Sequence, residues 1–176
     1  QDTSYPTRPE RDTMERAFEE ASEQYDIPRD LLVALSYGLT RLGHRDGDHG
    51  HAEAGELDLA SLNGGYGPMD LLAGANAGPD LYRAAASIGV DIETVMFDPT
   101  ANILGAASEL RLYADSRDMT IDDIEDWAMA IGWYAGSEHA GLQHDFVRQT
   151  YQLMGEGLEA TASTGEHISL APREMF

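Results

Sequence analysis

Imidazole and carboxylate side chains crowd one short stretch of the sequence, GHRDGDHGHAEAGE at residues 43–56. Side chains of these types, separated by two, five and seven residues, could hold Zn²⁺ or a similar ion, and carboxylates alone would suit Ca²⁺. The stretch lacks the EF-hand pattern, because the sixth position counted from Asp46 is His51 and the twelfth is Leu57. A solvated polar loop is the commoner origin of this composition, so no metal site is assigned. The side chains that stay open as candidate ligands are His44, Asp46, Asp48, His49 and His51.

A second set of side chains could bind sugar. Tyr37, Tyr66, Trp133 and Tyr134 carry aromatic rings, and pyranose rings present apolar faces edged with hydroxyls to such rings. Aromatic residues at helical spacing are more often part of a core, which is the interpretation given to Trp133 and also to Trp127. For the three tyrosines, binding and packing both stay open at this point. The remaining histidines carry no functional signal: His139, His144 and His167.

The charge balance argues against two classes of partner. The chain has 32 acidic residues against 11 basic ones, for a formal net charge of −21, and every basic residue is Arg. Such a chain repels phosphate backbones and anionic lipid, so neither nucleic acid nor membrane is an expected partner. No apolar run approaches the roughly 18 residues of a membrane span. The absence of Cys excludes disulfides and thiolate metal sites.

The elements that must position these side chains are predicted to be helices. Apolar residues recur every three or four positions in DTMERAFEEASEQYD, behind a cap at Asp12 or Thr13, and in IPRDLLVALSYGLTRL, where Pro28 suits a first turn. Capping signals predict a helix that ends at Gly89 and another that opens with Asp98 and Pro99. Further helices are predicted in GPMDLLAGA, in TIDDIEDWAMAIGWYAG from a Thr120 cap, and in HDFVRQTYQLMGEGL.

No stretch of strand length alternates convincingly, so the sequence predicts an all-α fold of six or seven helices. The length of 176 residues suits a single domain. Its expected parts are a polar N-terminal flank at 1–12, a helical domain at 13–160 and a linker-like C-terminal tail at 161–176.

The order of four segments carries a family resemblance. AFEEASEQYDIPRDLLVALSYGLTRL, GGYGPMDLL, DPTANILGAASELRLYA and WAMAIGWYAGS follow one another over residues 14–158. This succession resembles the lytic transglycosylase domain of the lysozyme-like superfamily, of the kind that precedes N-acetylmuramoyl-L-alanine amidase domains in bacterial cell-wall hydrolases. The resemblance implies a lysozyme-like fold.

The resemblance also implies that the catalytic residue is missing. In the family the second helix ends in a pattern like A-Y-x-E-S-R-W, whose glutamate is the general acid and base; here Leu39 stands at that position. Leucine has no proton to exchange, and losing a general acid or base typically removes about 10²- to 10⁴-fold in rate. A second signature matches Gly65–Met69 but continues with Asp70, and a third keeps Tyr134 with Ala135 in place of Asn. The positions that the resemblance assigns to substrate binding are Tyr37, Thr40, Tyr66, Met69, Asp70 and Tyr134.

The resulting expectation is a degenerate transglycosylase-like domain that binds peptidoglycan glycan strands without a cofactor. By resemblance it would belong to a secreted bacterial protein, at the cell envelope or outside the cell, with an amidase domain downstream. One alternative is an active enzyme in which Asp70, Glu53 or Glu56 replaces the lost acid. Another is a metal-binding or structural interaction domain that uses the loop at 44–56.

Overall fold

The computed structural model describes residues 13–44, 65–136 and 139–175, which form a mostly helical fold with one small sheet. Within these ranges no helix is both long and apolar enough to cross a bilayer. The helices are α1 (Thr13–Tyr25), α2 (Arg29–Thr40), α3 (Leu81–Ile88), α4 (Ile92–Phe97), α5 (Pro99–Ser116), α6 (Ala128–Tyr134) and α7 (Ala140–Glu156). A 3₁₀ turn, Ile124–Trp127, leads into α6. The antiparallel strands are β1 (Leu158–Thr161) and β2 (His167–Leu170). The expected helical class is therefore confirmed.

Helix α5 lies at the centre of the core. It packs against α1, α3, α4 and α6, and ten of its 18 residues are buried. Small side chains let its neighbours approach: a Cβ added at Gly105 would lie 3.1 Å from the Cβ of Ala84 on α3. On the other side of the molecule α2 packs against α1, α7 and β2. Helices α2, α5 and α6 each send side chains to one turn of the chain, at residues 66–71.

Several helix boundaries follow from the capping signals. The carboxylate of Asp98 accepts the N–H of Thr100, with Pro99 at the first helical position, as expected. Helix α3 ends at Gly89, which has a left-handed φ of 73°. The cap expected at Thr120 is wrong: Asp123 and Asp126 form a capping box that starts the 3₁₀ turn instead. The short helix α4 was not predicted.

The helix expected in GPMDLLAGA is also wrong. Residues 66–71 form a closed turn, in which the N–H of Tyr66 donates to the carbonyl of Leu71 and the N–H of Leu71 donates to the carbonyl of Tyr66. Gly67 and Asp70 both have positive φ, at 70° and 54°. These left-handed residues prevent a helix from forming here.

The linker-like description of residues 161–176 needs correction as well, since β2 and the turn before it pack on the core. Leu158 pairs with Leu170 and Thr161 with His167, and Ile168 is buried. An expected domain end at residue 160 falls inside β1. The alternation in HISL spans only four residues, which is too short to stand out from a polar tail.

The hairpin also caps α1. Glu166 is buried, and its carboxylate accepts the N–H groups of Met14 at 2.8 Å and Glu15 at 3.0 Å. The Thr164 hydroxyl donates to the same carboxylate. A negative side chain thus meets the first turn of α1, where unpaired N–H groups and the helix dipole favour it.

We predict that Glu166→Ala lowers the free energy of unfolding by about 1–3 kcal/mol, because two N–H groups at the start of α1 lose their acceptor. Urea denaturation followed by far-UV circular dichroism measures this change. Glu159→Ala, at an exposed position of β1, is the matched control and should change stability by less than about 0.5 kcal/mol. Equal effects of the two substitutions would contradict the capping role.

Candidate functional site

The candidate site is built around the turn Tyr66–Leu71, hereafter the anchored turn. Its two ends are joined by the paired backbone hydrogen bonds between Tyr66 and Leu71, 2.9 and 3.0 Å long. A third bond runs from the N–H of Asp70 to the carbonyl of Gly67. Three other elements bind this turn through side chains, so its position relative to α2, α5 and α6 is fixed.

Helix α2 holds the turn through two hydroxyls at its C-terminal end. Ser36 and Thr40, one helical turn apart, both lie within hydrogen-bond distance of the carbonyl oxygen of Pro68, at 3.0 and 2.8 Å. The Thr40 oxygen also accepts the N–H of Gly43 at 2.9 Å. Both hydroxyls are buried. Thr40, expected at the substrate, therefore lies behind the anchored turn and positions it.

Helix α5 contributes Asn102, which sequence reasoning missed. Its amide oxygen accepts the N–H of Met69 at 2.8 Å, and its amide nitrogen donates to the carbonyls of Tyr66 at 3.0 Å and Val95 at 2.9 Å. A Cβ at Gly67 would come within 2.3–2.6 Å of the Asn102 side chain, so only glycine fits there. The sequence did contain a signal that could have identified Asn102: it is a polar residue next to Ile103, on the face of α5 that is buried.

Helix α6 completes the anchoring through Tyr134. Its hydroxyl donates to the carbonyl of Met69 at 2.6 Å, and only 4% of the residue is exposed. Burial, reinforced by the nearby charge of Glu109, raises the pKa of Tyr134 above its ordinary value, so the phenol stays protonated and can donate. Trp133 stacks on Tyr113 with ring centroids 4.5 Å apart, which agrees with a packing role.

Six positions were expected to bind substrate, and the structure divides them into two groups. Three are buried and hold the turn or lie inside it: Thr40, Met69 and Tyr134. The other three remain partly exposed: Tyr37, Tyr66 and Asp70. Leu39 is partly exposed as well, at the C-terminal end of α2, where it offers no titratable group.

The C-terminal end of α2 carries a further aromatic contact. The Arg41 guanidinium lies 4.7 Å from the centroid of the Tyr37 ring and donates to the Tyr37 carbonyl at 2.8 Å. Arg41 and Leu42 both adopt left-handed backbone angles, with φ of 56° and 61°, which turn the chain away from α2. One face of Tyr37 is therefore occupied by a cation, which fixes the orientation of its ring.

A buried carboxylate, Glu109, lies near Tyr134 and pairs with the exposed Arg83. Glu109 on α5 accepts a hydrogen bond from Nε of Arg83 at 3.1 Å, and its carboxylate lies 3.4 Å from the backbone nitrogen of Asp80. Burial raises the pKa of Glu109, and the attraction of Arg83 partly opposes this shift. Sequence reasoning did not single out this carboxylate, because its burial depends on the packing of α5 against α3.

Only one of the expected metal ligands falls within the described residues. Nε2 of His44 lies 2.7 Å from the carbonyl oxygen of Thr161, so this nitrogen carries the proton and donates. The remaining candidates, Asp46, Asp48, His49 and His51, lie outside the described residues, as do the acids Glu53 and Glu56. Across the described ranges no group of three or more His, Asp or Glu side chains is placed to hold a metal ion.

We predict that Asn102→Ala lowers the free energy of unfolding by about 2–4 kcal/mol, since the buried N–H of Met69 and the carbonyl of Val95 lose this partner, while the carbonyl of Tyr66 keeps only its bond from Leu71. Chemical denaturation measures the loss. The matched control is Ser108→Ala, which removes a single buried bond to the Gly105 carbonyl on the same helix and should cost about 1 kcal/mol. A loss for Asn102→Ala no larger than that of the control would show that the anchoring is unimportant.

The raised pKa of Glu109 gives a pH prediction. A carboxyl whose pKa is higher in the folded than in the unfolded chain holds its proton more tightly when folded. Its contribution to stability is then fully present below the unfolded value of 4.5 and declines as the pH rises through the folded value. The stability of the wild-type chain relative to Glu109→Gln should therefore fall as the pH rises above about 4.5. Urea titrations of both proteins test this, and a relative stability that rises over this range would contradict it.

Comparison with known proteins found no relative of this chain. No family model, no curated protein and no solved structure matches this chain. What supports a function is therefore the arrangement of the anchored turn and the partly exposed side chains beside it.

Proposed function

We propose that the chain is a lysozyme-like domain that binds peptidoglycan glycan and does not cleave it. The observation that carries this proposal is the anchored turn, because it brings together three of the four segments in which the sequence resembles lytic transglycosylases. The end of α2 and the end of α6 each contact the turn, through the hydrogen bonds of Thr40 and Tyr134. Segments that form one sugar cleft in that family are thus neighbours here.

The chemistry of the exposed side chains supports binding over cleavage. Tyr37 and Tyr66 present partly exposed rings that can stack on the apolar faces of pyranose rings. The Asp70 carboxyl is a hydrogen-bonding group for sugar hydroxyls. Leu39 occupies the position of the family's general acid and base, and a leucine can neither protonate a glycosidic oxygen nor accept a proton from a sugar hydroxyl.

The charge of the chain suggests how a glycan would be recognised. With a net charge of −21, long-range attraction to an anionic cell wall is absent, so affinity has to come from stacking and hydrogen bonds. The partner in this proposal is the glycan strand itself, with no cofactor. A secreted bacterial cell-wall hydrolase with a downstream amidase domain is the setting that the resemblance implies.

The direct test is a titration of the full chain with chito-oligosaccharides and soluble muropeptides, followed by intrinsic fluorescence, with product analysis of the same samples. We expect saturable binding and no anhydromuramic products. Tyr37→Ala and Tyr66→Ala should each raise Kd about two- to tenfold, as expected for the loss of one stacking contact. Leu142→Ala, at a position of α7 that is 59% exposed, is the control and should bind as the wild type does. Absence of binding to every glycan would end the proposal.

The salt dependence of binding should distinguish neutral chito-oligosaccharides from anionic muropeptides. A neutral chito-oligosaccharide should bind about equally at low and high ionic strength. A muropeptide with free carboxylates should bind more tightly as NaCl is raised, because screening weakens its repulsion by the acidic chain. Calorimetric titrations at several salt concentrations measure this, and muropeptide binding that weakens with added salt would contradict the proposed mode of recognition.

A second candidate function is supported by the position of Asp70. It lies partly exposed in the anchored turn, next to Met69, which is held by Asn102 and Tyr134. A carboxyl on such a rigid support could act as a relocated acid. If the product analysis yields anhydromuramic sugars, Asp70→Asn should abolish them. Product formation that survives this substitution would exclude Asp70 as the acid.

A further inference from the structure

Phe97 is the most exposed large hydrophobic side chain among the described residues. It is the last residue of α4, and 72% of it is exposed. Its ring lies against Tyr66 in an edge-to-face arrangement, with centroids 6.5 Å apart and planes at 84°. Two aromatic rings at nearly a right angle form a corner with apolar walls. One wall belongs to the anchored turn and the other to α4.

The backbone segments that carry the two rings are held by one shared amide. The side-chain nitrogen of Asn102 donates to the Tyr66 carbonyl at 3.0 Å and to the Val95 carbonyl at 2.9 Å. Val95 is buried and lies two residues before Phe97. The backbone of Asp98, directly after Phe97, donates to the carbonyl of Thr94 at 2.9 Å. Because one side chain fixes both backbones, the attachment points of the two rings are held in place without a ligand, which lowers the ordering cost of binding.

We propose that Phe97 and Tyr66 form an aromatic subsite for one N-acetylated hexopyranose unit of the glycan, an inference that rests on the proposed function. Phe97 has no hydrogen-bonding group, so it takes the apolar C–H face of the ring or the methyl of the acetamido group. Tyr66 supplies the second wall, and its hydroxyl can bond a sugar hydroxyl. The subsite extends the glycan-binding surface from the anchored turn onto α4, outside the positions that the resemblance identifies.

The test is a titration of the full chain with chitotetraose, using three substitutions at Phe97. Phe97→Ala should raise Kd about two- to tenfold, and Phe97→Leu should recover only part of this loss because it restores apolar area without a ring. Phe97→Tyr should bind within about twofold of the wild type. Saturation-transfer NMR should show transfer to acetamido methyl or ring C–H protons that falls in Phe97→Ala. Leu142→Ala is the control, and the thermal midpoints of all variants should stay close to that of the wild type, since both positions are exposed.

Each other result of these titrations would lead to a different conclusion. If Tyr37→Ala weakens binding while Phe97→Ala binds as the wild type does, the subsite is wrong and the proposed function stands. If the wild-type chain binds no glycan, both fail. If Phe97→Ala leaves Kd unchanged but converts a dimer to a monomer in sedimentation, Phe97 serves contact with a second copy, and the sugar subsite is overturned.

Discussion

The side-chain amide of Asn102 is the interaction on which the site depends. A buried amide must find partners for its oxygen and nitrogen or pay a large desolvation cost. Here the partners are backbone groups of Tyr66, Met69 and Val95. One residue of the central helix therefore ties together the anchored turn and the six-residue helix α4. Glycine at position 67 is required because the amide occupies the space of a side chain.

Helix α2 also holds the anchored turn, through two hydroxyls. Ser36 and Thr40 are one helical turn apart and bond the carbonyl of Pro68, whereas Leu39 is partly exposed and its aliphatic side chain takes no part in these hydrogen bonds. The groups that hold the turn are thus separate from Leu39, the position that the resemblance aligns with a catalytic glutamate. The hydrogen bonds that hold the turn therefore do not depend on the residue at position 39.

Local signals in the sequence correctly predicted those helix ends that depend only on neighbouring residues. The cap at Asp98 and the end of α3 at Gly89 follow from neighbouring residues alone. The hairpin was missed because each strand has four residues and gains its stability from burial of Ile168 and from the cap that Glu166 provides. Among the site positions, Tyr134 was identified, but its role as a donor to Met69 depends on a contact 65 residues away. No local pattern encodes such a contact.

Amide chemical-shift mapping with a muropeptide is the sharpest test of glycan binding, because it reports where a glycan binds as well as whether it binds. We expect saturable shifts concentrated at residues 37–41, 65–71 and 97, with no anhydromuramic product in the sample after the titration. Shifts centred elsewhere would contradict this expectation, for example in the groove of about 600 Å³ between α7 and the C-terminal segment, where Tyr151 and Met175 lie. The absence of any shift at saturating ligand would contradict it as well.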